Sequence, residues 1–592
     1  MLRVLYWSSF AVLLSSLFFG FSWPRALIIY ACAWLYLKLE WRFRLDKLHR
    51  RPVFITGCDS GFGKAYVRNL ASQGMPVFAG CLTQEGLDSW RGWPNVRALQ
   101  IDVCSDDSVA DAVSNLEKML DEDGYAGLWA VVANAGIMRH SVPEDWLTSP
   151  AAYKEVAEVN VYGLIRTVQA TKRLVQRVRG RIVLIGSLYS LGSMRYQSSG
   201  PYHLSKVAVN AYADLLMKEQ LRMGVTVHTL LPGQPPTMLR VLYWSSFAVL
   251  LSSLFFGFSW PRALIIYACA WLYLKLEWRF RLDKLHRRPV FITGCDSGFG
   301  KAYVRNLASQ GMPVFAGCLT QEGLDSWRGW PNVRALQIDV CSDDSVADAV
   351  SNLEKMLNED GYAGLWAVVA NAGIMRHSVP EDWLTSPAAY KEVAEVNVYG
   401  LIRTVQATKR LVQRVRGRIV LIGSLYSLGS MRYQSSGPYH LSKVAVNAYA
   451  DLLMKEQLRM GVTVHTLLPG FYPTPATEWQ PIADCISDHW ERCPEHVKAA
   501  YPRSFLDQFL SAQKRMIADV LRPNSDLDGP VAALNHAVTA RMARRKYLLS
   551  WLTYAYVFYA RADLFSQQVT EEILDTLWFK YPKPQPPPQR PI

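Results

Sequence analysis

The chain says nearly the same thing twice: residues 1–233 recur as 238–470 with a single change, Asp121 becoming Asn358. Functional repeat arrays use periods of roughly 20–50 residues and drift. A unit this long and this nearly identical is a copied gene segment, recent or artefactual, and both copies are expected to fold alike. Their continuations differ. The first copy runs out at Leu-Pro-Gly-Gln-Pro-Pro-Thr237 and a fresh Met-Leu-Arg begins at once, whereas the second extends into a long C-terminal stretch. The unit to interpret is the second copy plus that tail.

The net charge of +14 points toward nucleic acid until its placement is considered. Residues 38–51 hold six Lys/Arg against Glu40 and Asp46, and with the repeat at 275–288 these strips supply +8 of the total. Both strips directly follow apolar runs, as membrane-flanking charge does. Residues 4–23 are uncharged and almost wholly apolar or aromatic, long enough to cross about 30 Å of hydrocarbon. After Pro24-Arg25 a shorter apolar run occupies 26–37. A membrane-anchoring helix or hairpin is therefore expected within 1–51 and again within 238–288, at the endoplasmic reticulum, with the globular parts facing the cytosol. No nucleic-acid partner is expected. The ten cysteines, without a C-x-x-C pair or metal-type His spacing, read as reduced thiols, and no metal site is expected.

Beyond each basic strip, short buried strands alternate with helices, which argues for a Rossmann-type α/β fold, a doubly wound parallel sheet present in two copies. In the first copy, strands are expected at 52–56, 76–80, 96–103, 128–133, 181–186 and 225–231, with helices at 64–73, 105–120, 151–175 and 202–221. The expected domains are a truncated dinucleotide-binding unit at 52–237 and a complete unit at 289–580, then a Pro-rich tail at 581–592. A last strand is expected at 546–549, and 547–559 reads as an aromatic interfacial stretch. The first copy's sixth strand would be an open edge.

Two motifs carry chemistry. Thr-Gly-Cys-Asp-Ser-Gly-Phe-Gly, at 56–63 and 293–300, joins a strand to a helix. Glycines there permit a tight turn and let backbone N–H groups approach a pyrophosphate. Tyr-His-Leu-Ser-Lys, at 202–206 and 439–443, places Tyr and Lys on one helix face. A tyrosine near its usual pKa of about 10 is a poor base, and a neighbouring ammonium stabilises the phenolate. The order is informative: Gly-rich loop, Asn-Ala-Gly, Ser, Tyr-x-x-x-Lys, Pro-Gly.

That order resembles the short-chain dehydrogenase/reductase family. The glycine loop, the hydrophobic N-terminus, Cys-Leu-Thr at 81–83 and the ending Ala-Asp-Leu-Phe with Tyr-Pro-Lys-Pro are most similar to its retinol dehydrogenase and hydroxysteroid dehydrogenase branch. The resemblance implies Tyr439 as general acid/base and Lys443 as the group that holds the nicotinamide ribose and lowers the tyrosine pKa. It implies Ser424 as the group orienting the substrate oxygen and Asn397 as the residue ordering a relay water. Gly294, Asp296, Ser297, Gly298, Phe299 and Gly300 would form the phosphate turn. Asn371, Ala372 and Gly373 would line the cofactor cleft, Asp339 would meet the adenine and Thr474 the carboxamide. The counterparts in copy one are Tyr202, Lys206, Ser187, Asn160, Gly57, Ser60, Gly61, Phe62, Gly63, Asn134, Asp102 and Thr237.

The family's serine usually lies 12 or 13 residues before the tyrosine. Ser424 lies 15 before Tyr439 and Ser427 lies 12 before it; Ser424 is preferred because it directly follows a strand. The second strand ends in Gly-Cys-Leu-Thr at 317–320, with neither the acid that would bind a ribose 2′-hydroxyl nor an Arg that would accept a 2′-phosphate. The resemblance favours NAD, with NADP open. Trp479, Trp490, Tyr501, Phe505 and Phe509 are expected to form an apolar substrate pocket. These readings imply a membrane-associated oxidoreductase acting on a retinoid- or steroid-type alcohol, with homo-oligomerisation open. A hydroxybutyrate-type dehydrogenase and a non-catalytic membrane scaffold or nucleotide sensor are the alternatives.

Overall fold

The computed structural model describes residues 47–147, 149–191, 199–232, 281–384, 386–428, 436–521 and 526–549. The expected anchors, Thr237, the junction between the copies, residues 550–559 and the Pro-rich tail lie outside these residues. Among the described residues, no helix is long and apolar enough to cross a membrane.

The first copy folds as β1 (Val53–Thr56), α1 (Gly61–Ser72), β2 (Val77–Cys81), α2 (Gln84–Asp88), β3 (Val96–Gln100), α3 (Asp106–Glu122), β4 (Ala130–Ala133), α4 (Ala151–Ala157), α5 (Leu164–Gln176), β5 (Arg181–Ile185), α6 (Gly200–Gln220) and β6 (Thr226–Leu230). The second repeats this as β7 (Val290–Thr293), α7 (Gly298–Ser309), β8 (Val314–Cys318), α8 (Gln321–Asp325), β9 (Val333–Gln337), α9 (Asp343–Glu359), β10 (Ala367–Ala370), α10 (Ala388–Ala394), α11 (Leu401–Arg414), β11 (Arg418–Ile422), α12 (Gly437–Gln457) and β12 (Thr463–Leu468). It then adds α13 (Trp479–Arg492), α14 (Glu495–Ala500), α15 (Arg503–Leu521), α16 (Asp528–Thr539) and β13 (Lys546–Leu548).

The first sheet runs β3-β2-β1-β4-β5-β6 and the second β13-β12-β11-β10-β7-β8-β9. Neighbouring strands are parallel in both, as in β1 with β4 and β12 with β13. Helices cover both faces, so the central strands are buried throughout; β1, β4, β7 and β10 show no exposed residue. The reversal of strand order beside β1 and β7 opens a crevice at the strands' carboxyl ends, where such sheets bind ligands.

Three expectations needed correction. The third strand stops at Gln100, not 103, because Asp102 folds into a turn: its N–H donates to Ser108 Oγ at 2.9 Å and its Oδ1 accepts from Cys104 N at 2.9 Å. The helical run 151–175 is broken by a π-turn at Glu158–Gly163, repeated at Glu395–Gly400. Tyr547 does not open an interfacial stretch. It is buried on β13, its hydroxyl contacting His536 Nδ1 at 2.8 Å and accepting from Arg544 N at 2.9 Å.

The copies pack against one another through α6 and α12 in a self-complementary way, as two subunits related by a two-fold axis would. Tyr162 and Tyr399 hydroxyls meet at 3.1 Å. Lys154 pairs with Glu395 and Lys391 with Glu158, both at 2.8 Å. Buried Glu144 accepts from Gln406 and Tyr449 of the second copy, and buried Glu381 accepts from Gln169 and Tyr212 of the first. Burial raises both glutamates, and the hydrogen bonds oppose that rise.

Candidate functional site

Backbone geometry assembles the second copy's site. Gly294 sits at φ +71°, and a Cβ there would lie 2.8 Å from the Ala372 backbone, so only glycine fits. Asn371 straps the ends of β7 and β10 together: its Nδ2 donates to the carbonyls of Thr293 at 2.9 Å and Gly294 at 3.2 Å. Ser297 precedes α7 without a side-chain cap, and no acid occupies the helix's first turn. The N-terminal N–H groups of α7 thus keep their donors for an external acceptor, the arrangement that suits a phosphate. Gly300 lies deeper in the same turn. A Cβ there would fall 2.0 Å from the Gly294 carbonyl oxygen, so it permits close packing and is not among the residues lining the cleft.

A cleft of about 940 Å³ opens above these strands. Gly294, Asp296, Ser297, Gly298, Phe299, Asp339, Asn371, Ala372, Gly373 and Thr474 line it, together with Ser424, Tyr439 and Lys443. The Asp296 carboxylate accepts from Leu319 N at 3.0 Å, Thr320 N at 2.9 Å and Thr320 Oγ1 at 2.8 Å. It therefore supplies, from the glycine loop, the negative charge that β8 lacks at its own end. Asp339 lies opposite, its Oδ1 accepting from Cys341 N at 2.8 Å.

Ser424 hydrogen-bonds Tyr439. Ser427 is engaged elsewhere: its hydroxyl donates to the Lys443 carbonyl at 2.8 Å, accepts from Ser424 N at 3.1 Å and does not line the cleft. Lys443 Nζ donates to the Ile422 carbonyl at 3.0 Å and stands 5.6 Å from the Tyr439 ring centre. Burial pushes Tyr439 up to about 12, with the Ser424 hydrogen bond pulling against it, and burial brings Lys443 down to about 8. Desolvation is thus the larger influence on the phenol, and the Ser424 hydrogen bond the opposing one. Asn397 stands close behind Gly373. It is fully buried in the π-turn, its Oδ1 accepting from Ile374 N at 2.8 Å and its Nδ2 donating to Ile374 O and Ser442 Oγ, each at 2.9 Å. It fixes the wall after β10 and lies behind the cleft surface.

The first copy reproduces the trio. Ser187 hydrogen-bonds Tyr202, Lys206 donates to the Ile185 carbonyl at 2.9 Å, and Asn160 clamps Ile137. Gly57, Ser60, Gly61, Phe62, Gly63, Asp102 and Asn134 repeat the turn and its strap, but none of the described tail elements extends this sheet.

The aromatic wall differs from expectation too. Tyr501, Phe505 and Phe509 pack on Trp383, and Trp490 Nε1 donates to the Tyr501 carbonyl at 2.8 Å. These four residues fill the core beneath α13–α15, because helices laid over a sheet need large side chains to seal them. Beside the phenol stands a separate apolar cluster of Tyr426, Phe471, Met516 and Ile517, against which Tyr439, Trp479 and Ile482 pack. Also unforeseen, His377, Cys485 and His489 come together where no metal-type spacing had been read. Cys485 and His489, four apart on one helix, were the available signal.

The short chain dehydrogenase family model matches residues 51–242 and again 288–481. The chain is 31% identical over 318 residues to 17-beta-hydroxysteroid dehydrogenase type 6 of Bos taurus, covering 53% of this chain and 96% of that protein. It is 34% identical over 276 residues to the mitochondrial D-beta-hydroxybutyrate dehydrogenase of Bos taurus, covering 45% and 78%. It is 33% identical over 285 residues to retinol dehydrogenase 16 of Homo sapiens, covering 47% and 87%. A solved NADP-containing N-domain of a bacterial malonyl-CoA reductase superposes with TM-score 0.50 at 12% identity, covering 71% of this chain and 91% of its own, which speaks to the fold alone.

Proposed function

The chain belongs to the short-chain dehydrogenase family, and from that premise we propose that its second unit moves a hydride between a nicotinamide dinucleotide and a lipophilic alcohol or ketone of retinoid or steroid type. The observation that carries this reading is the apolar side of the cleft, where Tyr426 and Phe471 line it beside Tyr439 and the glycine turn, backed by Met516 and Ile517. The uncapped start of α7 and the glycine at 294 fit a pyrophosphate. The dinucleotide supplies the hydride chemistry when bound. Ser424 holds the substrate oxygen, Tyr439 exchanges its proton with that oxygen, and Lys443 adds positive charge beneath the ring.

A phenol raised to about 12 is protonated at neutral pH, ready to donate during ketone reduction. Alcohol oxidation needs the phenolate, so its rate should climb with pH through and above neutrality. Asp296 places a carboxylate where a 2′-phosphate would lie, which supports NAD over NADP. Among the described residues, the cleft's cations are Lys443 and Arg376, and Arg376 is ion-paired with Glu392, which disfavours a small hydroxy acid. The apolar runs at 4–23 and 241–260 support a membrane location, with the endoplasmic reticulum as the proposed site.

The test is turnover of the full chain with retinoid and steroid alcohols and with 3-hydroxybutyrate, each with NAD and NADP. Faster turnover of the hydroxy acid would overturn the substrate class. Ser424→Ala should cost about 10²–10³-fold in turnover, as loss of an aimed donor does, while Ser427→Ala leaves most of it. The reverse pattern would reassign the serine.

A further inference from the structure

The loop leaving β10 meets the first long helix of the tail at three side chains. His377 stands on that loop at φ +57°, and α13 presents Cys485 and His489 on one face. One ligand atom from each lies within 4.8 Å of the others. His377 Nδ1 faces His489 Nε2 at 3.2 Å. The rings' outer nitrogens are already committed. His377 Nε2 donates to Glu392 Oε2 at 2.8 Å, and His489 Nδ1 donates to the Cys485 carbonyl at 2.9 Å.

A neutral imidazole that donates from one nitrogen presents a lone pair at the other. Two neutral rings held this way aim lone pairs at each other, so a positive charge belongs between them. A shared proton would serve the two nitrogens and leave the sulfur with its 3.7 Å hydrogen bond to His489 Nδ1, whereas a metal ion would engage all three groups at once. Histidines whose far nitrogens donate to a carboxylate and to a carbonyl are the usual second shell of a metal site. Two imidazoles and a thiolate suit a borderline-soft ion with tetrahedral preference, leaving a fourth position for solvent.

We propose that His377, Cys485 and His489 bind a divalent transition-metal ion of zinc type, clasping α13 to the loop after β10. Cys485 binds as the thiolate and its proton leaves to solvent. The clasp borders the cleft, because Met375 and Arg376, next to His377, line it. The first copy supplies a built-in control. His140 has nearly the same φ, +56°, and the same kind of partner in Glu155, but no counterpart of α13 among the described residues.

The full chain should be titrated with Co²⁺ and followed by absorption. The expected result is a sulfur-to-cobalt charge-transfer band saturating at one ion per chain. It should vanish in Cys485→Ser and His489→Ala and persist in His140→Ala. Glu392→Gln should weaken binding about 10–100-fold, as loss of an outer-shell partner does. Circular dichroism checks that each variant folds, and the near-isosteric Cys485→Ser keeps the test readable if His489→Ala does not. No cobalt binding, binding without the sulfur band, or binding that survives both Cys485→Ser and His489→Ala would overturn the proposal.

Discussion

Leu230 and Leu467 hold the same place on the same strand of the same sequence, yet Leu230 is 42% exposed and Leu467 fully buried. The difference is β13, which pairs with β12 and has no counterpart beside β6 among the described residues. The pattern repeats elsewhere. Trp146 is 73% exposed, whereas Trp383 is 3% exposed beneath Tyr501, Phe505 and Phe509. Phe62 is exposed and stacks on Tyr66, whereas Phe299 makes the matching stack on Tyr303 and also packs on Tyr472. The Ser–Tyr hydrogen bond and the Lys Nζ bond to a strand carbonyl are nevertheless common to both copies. The duplicated scaffold therefore places the same Ser, Tyr and Lys in each copy, and in the second the tail adds Phe471, Tyr472 and Thr474 to the cleft lining.

The largest expected effect comes from separating the copies. Residues 1–237 alone should be poorly soluble and inactive, having lost both the tail and the neighbouring α12 and keeping β6 as an open edge. Robust turnover by that fragment would erase the distinction between the copies.

Next in size is a pH effect larger in the second unit. His465 is buried, and that burial, with smaller repulsion from Arg418 and His536, brings its pKa from 6.5 down to about 4. The unfolded chain takes up this proton first, so the stabilisation is complete above about pH 6.5 and drains as pH falls toward 4. At about 1.4 kcal/mol per unit the loss approaches ~3 kcal/mol. Denaturant melts of His465→Gln should show a flatter acid limb, while His228→Gln, at a more exposed position whose pKa burial also lowers, changes it less.

Smaller again, Phe299→Ala should cost about 1–2 kcal/mol, less than for a fully buried ring. Phe62→Ala should stay within about 0.5 kcal/mol. Smallest of all, Lys154→Met and Lys391→Met should each cost about 0.5 kcal/mol or less and by equal amounts, because both ion pairs are partly solvated. Unequal costs would show that the interface between the copies is not symmetric.

The strands and the glycine turn were legible because buried parallel strands are short apolar runs and the turn needs glycine at positive φ. That Ser424 lines the cleft was legible from its place after β11. The π-turn was not, since Val-Asn-Val-Tyr-Gly carries good helical periodicity and only the clamp of Asn397 on Ile374 reveals the bulge. The aromatic tail misled for a related reason. Composition shows that large rings are buried but not whether they face a cleft or a neighbouring helix. The pairing of His377 with Cys485 and His489 stayed hidden because the loop and α13 meet only in three dimensions. The role of Asp296 at the end of β8 was hidden likewise.

The most direct measurement compares Tyr439→Phe with Tyr202→Phe in the full chain, using one lipid alcohol and saturating dinucleotide. Turnover should fall about 10²–10⁴-fold in the first, as loss of a general acid/base does, and remain near wild type in the second. Equal losses, or an active Tyr439→Phe, would contradict a single working site built by the second copy and its tail.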